Sequence, residues 1–307
     1  MIVAGPTASG KSALALELSH AIGGTIINAD ALQIYRDLRI LTARPDEAAE
    51  ARVPHRLYGV LDAAERGSVA RWQAMAEAEI TAARAAGRTQ FVVGGTGLYL
   101  RALLDGLASV PEVPQTVRDA AAALYRAVGG EEFRRLLAQI DPEAAARLPP
   151  GDRQRLLRAW EVAQATGKPL AYWHRRAPQP LRSRAAIVLL LPPRDTLYAT
   201  SDARFAAMVA GGGLAEAAAL AARGLAADLP AMKAVGVPEL LRHLRGETTL
   251  ADAVAAGQQA TRRYAKRQMT WFRHQIAAGL VLDEQFSESL LRRSRHFIDD
   301  YLLTASR

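Results

Sequence analysis

Apolar positions follow two rhythms along this chain, and the rhythm changes near residue 110. Over residues 1–110, short continuous apolar runs alternate with longer stretches whose apolar residues recur at helical spacing. Ile2–Ala4, Thr25–Asn28, Leu57–Leu61 and Phe91–Val93 read as buried strands. Ser12–Ile22, the alanine-rich Gln73–Ala86 with Gly87 as its stop, and the segment from Leu98 read as the helices between them. Strands separated by helices predict a parallel, doubly wound sheet. From Pro111 and Pro114 to Pro178 and Pro180 the pattern is helical only, over 115–128, 131–139, 143–147 and 152–166. Ala186–Leu191, backed by Pro192 and Pro193, is a continuous apolar run that returns to the sheet. Helical periodicity then covers 195–210, 214–223, 236–245 and 250–278. The expected organisation is an α/β core of residues 1–110 and 181–307 interrupted by a helical insertion at 111–180.

Composition narrows the class. With 307 residues, 50% of them hydrophobic and 23% charged, the chain can bury a large core, and disorder as its main state is excluded. No apolar run approaches the ~18 residues of a membrane span, so no membrane partner is expected. The chain opens directly on MIVAGPTASGKS, without the pattern of a secretory leader, and the cytoplasm is the expected compartment. The absence of cysteine excludes disulfide scaffolds, thiolate zinc sites and cysteine nucleophiles. A net charge of +8 favours a polyanionic partner, although an Arg-rich coding bias would produce the same excess. No sequence feature marks an obligate protein partner.

Gly5-Pro6-Thr7-Ala8-Ser9-Gly10-Lys11-Ser12 fits G-x-x-x-x-G-K-[ST], with an apolar strand before it and an amphipathic helix after it. The glycines let the backbone wrap so that N–H groups converge on a phosphate at a helix N-terminus. Lys11 adds a point charge, and the Ser12 hydroxyl suits a Mg²⁺ that bridges two phosphates. A tight turn without a ligand is the plain alternative, and the flanking pattern argues against it. Such a loop names a ligand class, ATP among its members, and not a reaction. NTP hydrolysis calls for an acidic residue at the end of an apolar strand. Phe91–Val93 ends in Gly-Gly-Thr instead, and the available acid is Asp30, after Thr25–Asn28. At the carboxyl end of a parallel strand Asp30 would face the phosphate crevice. As a cap of the next helix it would be structural. Position alone leaves both readings open.

Thr261–Ile276 reads TRRYAKRQMTWFRHQI. At ~100° per residue, Ala265, Met269, Phe272 and Ile276 form a narrow core-facing stripe. Arg262, Arg273, Lys266, Thr270, Arg263, His274 and Arg267 occupy one contiguous arc beside it. Tyr264, Gln268, Trp271 and Gln275 fill the other side. A solvated face mixes charge signs, whereas this segment has no Asp or Glu. That bias favours a nucleic-acid backbone contact. A second basic cluster, Arg153–Arg158, follows Asp152 as its cap, with Leu156, Leu157 and Trp160 as its packed side. The two clusters together suggest two lobes on one polyanion.

These segments, with Asp30–Arg36 (DALQIYR), Thr42–Pro45 (TARP), Pro54–Leu57 (PHRL), Gly94–Tyr99 (GGTGLY), Asp152–Val162 (DRQRLLRAWEV), Arg204–Phe205 and Gly213–Glu216 (GLAE), resemble the tRNA dimethylallyltransferases, also called tRNA isopentenyltransferases. The matches span nearly the whole chain. The resemblance implies a P-loop kinase-like sheet with a helical insertion. It also implies transfer of a dimethylallyl group from dimethylallyl diphosphate to N6 of the adenosine on the 3′ side of the anticodon in tRNA, with Mg²⁺. By the same resemblance, Gly5 to Ser12 would cradle the diphosphate, with Lys11 and Arg204 on the leaving group and Ser12 on the metal. Asp30 would be the general base, and Thr96 would touch substrate site and nucleotide. Ala31, Leu32 and Gln33 would hold the target base. Arg118, Gln154, Arg155, Leu156, Leu157, Arg158, Lys233, Lys266, Arg267, Gln268, Trp271 and Arg273 would grip the RNA. The chain departs from the family pattern at Ala31, Arg44 and Val237-Pro238.

Three other readings compete. A small-molecule P-loop kinase using ATP shares loop and metal but leaves the all-basic helix unexplained. A non-enzymatic RNA-binding protein leaves Asp30 and Arg204 without a task. Transfer to free adenine nucleotides needs no such basic surface.

Overall fold

The computed structural model describes residues 1–108, 110–175 and 185–305. Its strands are β1 (Ile2–Ala4), β2 (Gly24–Asn28), β3 (His55–Arg56), β4 (Thr89–Gly94), β5 (Ile187–Leu190) and β6 (Leu280–Leu282). All pair in parallel, in the order β3-β2-β4-β1-β5-β6. The helices before the insertion are α1 (Lys11–Ala21), α2 (Glu47–Arg52), α3 (Val69–Ala85) and α4 (Gly97–Asp105). Next come α5 (Gln115–Leu137), α6 (Pro142–Arg147), α7 (Arg153–Thr166) and α8 (Leu170–His174). The chain finishes with α9 (Arg194–Met208), α10 (Leu214–Ala222), α11 (Val237–Leu244), α12 (Leu250–Gln275) and α13 (Glu288–Ala305). Two compact units result, Met1–Ala102 with Ser183–Arg307 and Leu103–Arg182.

The alternation of apolar runs and helices produces the parallel sheet for a physical reason. Strands of an all-parallel sheet are covered on both faces and read as unbroken apolar runs. Every residue of β1, β2 and β5 is buried. The core of the larger unit joins Val3, Ile26, Phe91 and Val188 of the sheet to Leu14 and Leu18 of α1 and to Leu290 and Ile298 of α13. Register sets the site: Ala4 pairs with Gly94, and Asn28 with Val93. The segments after β1, β2 and β4 therefore leave one edge of the sheet side by side.

Several expectations need correction. Leu57–Leu61 is not a strand, because Leu57 takes a left-handed conformation (φ 64) just after β3; Leu61 makes only an isolated bridge to Tyr35. The helices expected at 115–128 and 131–139 are the two arms of α5, which is interrupted at Gly129, where φ 75 and ψ 173 are not helical. β6 was not foreseen, since Ala277 and Ala278 extend the helical pattern and Val281 is half-exposed. α2, α8 and α13 were also not foreseen. Arg194–Ala222 is long and apolar enough to cross a membrane by length and composition, contrary to the expectation that no run is. Its backbone is broken at Gly211 and Gly212, and its charged Arg204 and Glu216 are hydrogen-bonded inside the fold. Pro178 and Pro180 lie outside the described residues.

Candidate active site

β1 runs into Gly5–Ser12, which turns through Ala8 (φ 61) and Gly10 (φ 88) to start α1. Gly10 is needed twice, for its left-handed backbone and because a Cβ there would sit 2.8 Å from Cβ of Phe286. The first N–H groups of α1, at Lys11, Ser12 and Ala13, have no partner within the helix. They carry the positive end of its dipole. Lys11 Nζ donates to the Pro6 carbonyl at 3.1 Å, and the buried Ser9 hydroxyl has no protein partner. The turn thus presents donors of the kind that an anion cradle requires.

Asp30 is fixed by the buried side chain of Asn28. Asn28 Nδ2 donates to the carbonyls of Asp30 and Leu57, both at 3.0 Å, while Oδ1 accepts from Asp30 N–H at 2.8 Å. The Trp72 indole N–H donates to the Asn28 carbonyl at 2.7 Å. Asp30 Oδ1 accepts from the N–H groups of Leu32 (2.9 Å) and Gln33 (3.4 Å), so the carboxylate does cap the next element, a turn and not a helix. It lines the pocket with Thr7 and Arg204 as well, so one carboxylate both caps the turn and faces the pocket. Thr96 locks the neighbouring turn: its Oγ1 accepts from Ala31 N–H at 2.9 Å, and its N–H donates to the Ala29 carbonyl at 3.2 Å. The Tyr264 hydroxyl lies in the neighbourhood of Thr96.

The pocket is lined by residues of two kinds. Thr7, Asp30, Arg204 and Tyr264 form a polar side; Leu32, Leu41, Phe205, Met208 and Val235 form an apolar one. Arg204 of α9 donates to Thr7 Oγ1. Burial pushes the Lys11 amine down to about 8; Asp30 opposes the shift and Arg204 adds to it. Burial also lowers Arg204 against the pull of Asp30, and raises the Tyr264 phenol, with the Asp30 charge adding. Lys11, Asp30 and Arg204 thus feel one another across a small, partly desolvated space.

Around it, Gln33 Nε2 donates to the carbonyls of Thr42 (2.8 Å) and Ala43 (3.0 Å). The Glu216 carboxylate accepts from the N–H groups of Arg39 (2.5 Å), Ile40 (2.8 Å) and Leu41 (2.8 Å). These bonds hold the loop that carries Leu41 and Thr42 into the pocket. Ser12 is exposed at the first turn of α1. A magnesium ion on a diphosphate takes most of its ligands from phosphate and water, so one hydroxyl fits as the protein ligand. Among the described residues no group of three or more His, Asp or Glu is arranged for a metal.

α12 buries Ala265, Met269 and Phe272, as its stripe predicted, while Ile276 lies just beyond the helix. Ala265 and Met269 pack on Ala8 of the loop and on Leu197. Lys266, Arg267 and Arg273 are exposed, and the Arg267 guanidinium lies 5.7 Å from the Tyr264 ring centroid. A Cβ on Gly97 would overlap the Trp271 ring, so the indole lies on the GGTGLY turn. Arg262 leaves the basic arc to pair with Asp202 at 2.5 Å. Lys233 is exposed on the turn Ala231–Lys233.

Three residues expected at the RNA face the protein interior instead. Gln268 is only 6% exposed, and its carboxamide is spent inside the protein. Leu156 is fully buried among Phe133, Leu137 and Ala159, where the apolar side of α7 must face, and Leu157 packs against the same cluster. On that unit Gln154 and Arg155 are exposed, and Arg118 and Arg158 share the neighbourhood of Glu161. Tyr264, Asn28 and Glu216 were not singled out as site residues. Asn28, a polar residue closing an apolar strand two places before Asp30, was the readable signal.

Comparison with known proteins points one way. The family model described as IPP transferase matches residues 33–275. A tRNA dimethylallyltransferase of Rhodospirillum centenum is 58% identical over 92% of this chain and 91% of its own length. One from Rhodospirillum rubrum is 52% identical over the whole chain and 96% of its own length. The crystal structure of the full-length tRNA isopentenylpyrophosphate transferase of Bacillus halodurans is similar at TM-score 0.73 and 31% identity, covering 99% of this chain and 97% of that one. A eukaryotic dimethylallyltransferase studied acting on tRNA shares the fold at TM-score 0.81 and 23% identity, over 97% of this chain and 79% of its own.

Proposed function

The chain belongs to the IPP transferase family, and on that premise we propose that its pocket moves a dimethylallyl group from dimethylallyl diphosphate to N6 of an adenine in tRNA, the one 3′ to the anticodon. It is an enzyme, a tRNA dimethylallyltransferase, as its relatives are. The observation that carries the assignment of roles is the meeting of Asp30, Arg204 and Thr7 in one pocket at the mouth of the anion cradle.

The chemistry follows from that meeting. The N6 lone pair attacks C1 of the allyl group, the C1–O bond breaks, and diphosphate leaves with the bonding electrons. Negative charge grows on the leaving group, where the α1 N–H groups, Lys11 and Arg204 wait in fixed positions. The N6 proton passes to Asp30. An exocyclic adenine amine is a weak nucleophile, so holding it against a partly ionised allyl carbon matters as much as basicity. The apolar wall of Leu32, Leu41, Phe205 and Met208 suits a five-carbon hydrocarbon, and the base must leave its stack to reach the pocket. Mg²⁺, when bound at Ser12, neutralises diphosphate charge. Lys266, Arg267, Arg273, Lys233 and, on the smaller unit, Arg118, Gln154, Arg155 and Arg158 supply the RNA contacts. The cytoplasm, where tRNA is processed, is the compartment.

Parallel incubations of unmodified tRNA with allyl-labelled dimethylallyl diphosphate and with γ-labelled ATP test this reading. Label reaches the RNA from the first only. Phosphoryl transfer from ATP, with no prenylated RNA, would establish the kinase reading instead.

A further inference from the structure

Gln268 sits on the helix that was expected to meet RNA, yet it points the other way. It is 6% exposed. Its Oε1 accepts from the Thr7 N–H at 2.8 Å, and its Nε2 donates to the Gly95 carbonyl at 2.8 Å. One carboxamide thus ties the phosphate loop after β1 to the Gly-Gly-Thr turn after β4. The tie needs the missing side chain at Gly95, where a Cβ would overlap Nε2. Each of the two main-chain groups has its hydrogen bond from this residue, and a buried group left unpaired is costly. Thr7 is also the residue that Arg204 grips by its hydroxyl. Gln268 on one side and Arg204 on the other therefore set where Thr7 stands.

We propose that Gln268 is a positioning residue for diphosphate binding: it fixes the arch of the phosphate loop from α12 and makes no contact with RNA. The inference rests on the reading of that loop as a diphosphate cradle. The N–H groups that face the anion belong to the next residues along, at the start of α1, and their direction follows from the path of the loop at Thr7. The exposed neighbours Lys266, Arg267 and Arg273 remain the RNA side of the same helix. One helix would then serve both substrates from opposite faces.

The test uses Gln268→Met, which keeps the length of the side chain and removes both hydrogen bonds. Gln268→Asn keeps the carboxamide on a stem one methylene shorter, and it carries the test if the first variant folds poorly. Binding of inorganic pyrophosphate with Mg²⁺, KM for dimethylallyl diphosphate, tRNA affinity and Tm are measured on the full chain. Pyrophosphate affinity should fall about tenfold in Gln268→Met, with KM rising in step. Gln268→Asn should fall between it and wild type. tRNA affinity should stay within twofold. Weakened tRNA binding with unchanged pyrophosphate affinity would overturn the proposal in favour of an RNA contact. A fall in kcat that tracks Tm, with both affinities unchanged, would overturn it in favour of a purely structural role. Wild-type binding constants in the variants would also overturn it. A wild-type protein that binds no pyrophosphate would instead refute the diphosphate cradle itself, a separate failure.

Discussion

Asparagine is the informative substitution at Asp30. Its Oδ1 can still accept from Leu32 and Gln33 N–H, so the turn that Asp30 holds survives, while the group can no longer take a proton. Asp30→Asn should lower kcat by about 10²- to 10⁴-fold and leave tRNA affinity within a few-fold. Unchanged turnover would remove Asp30 as the base. Lys11 gives a pH signature. Its folded value of about 8 lies below the ordinary 10.5, so between those values the unfolded chain binds more protons. The cost of holding the charged amine is full below about pH 8 and fades toward pH 10.5. Lys11→Met should therefore raise Tm at neutral pH, by at most about 3 kcal/mol of folding free energy, while diphosphate binding is lost. In the free protein Lys11 loses charge above about pH 8, and pyrophosphate affinity should drop there relative to Lys11→Arg, which stays charged. Parallel pH profiles for wild type and Lys11→Arg would contradict that.

At the scale of elements, α12 and α10 make separable predictions. Replacing Lys266 and Arg267 with alanine should weaken tRNA binding and flatten its salt dependence, by roughly 0.7 in log–log slope for each phosphate no longer neutralised. A slope equal to wild type would take both residues out of the interface. Glu216 ties α10 to the loop at Arg39–Leu41 by three N–H···O⁻ bonds. Glu216→Gln removes the charge and one acceptor oxygen, and should cost about 1–3 kcal/mol of stability, read as a lower Tm. An unchanged Tm would show that the loop holds itself. Helical periodicity located α12 and its buried stripe, but it could not say which polar flank lies inside. That depends on what approaches the flank: Gly95 and Gly97 bring bare backbone to Gln268 and Trp271. Tyr264 was missed for the same reason, since the pocket it lines with Asp30 is built from segments far apart in sequence.

For the whole molecule, the parallel sheet and the tight turn of Gly5–Ser12 between β1 and α1 were legible because buried strands and strand-to-helix turns each demand a local pattern. The site was legible only in pieces. Nothing local states that β4 lies between β1 and β2, yet that order is what brings Gly5–Ser12, Asp30 and Thr96 to one edge. Arg204 was recognisable only through resemblance, and its grip on Thr7 spans 197 positions of chain. The +8 charge was a fair pointer to a polyanion but not to its docking face, because Arg262 and Arg223 are consumed by internal ion pairs. Mass spectrometry of the nucleosides from unmodified tRNA, after incubation with this protein, Mg²⁺ and dimethylallyl diphosphate, tests the central claim most directly. One adenosine per tRNA, next to the anticodon, should gain a single dimethylallyl unit with wild type, and in the time wild type takes to finish Asp30→Asn should modify about 1% of the tRNA or less. Unmodified adenosine with wild type, or equal modification by the variant, would contradict it.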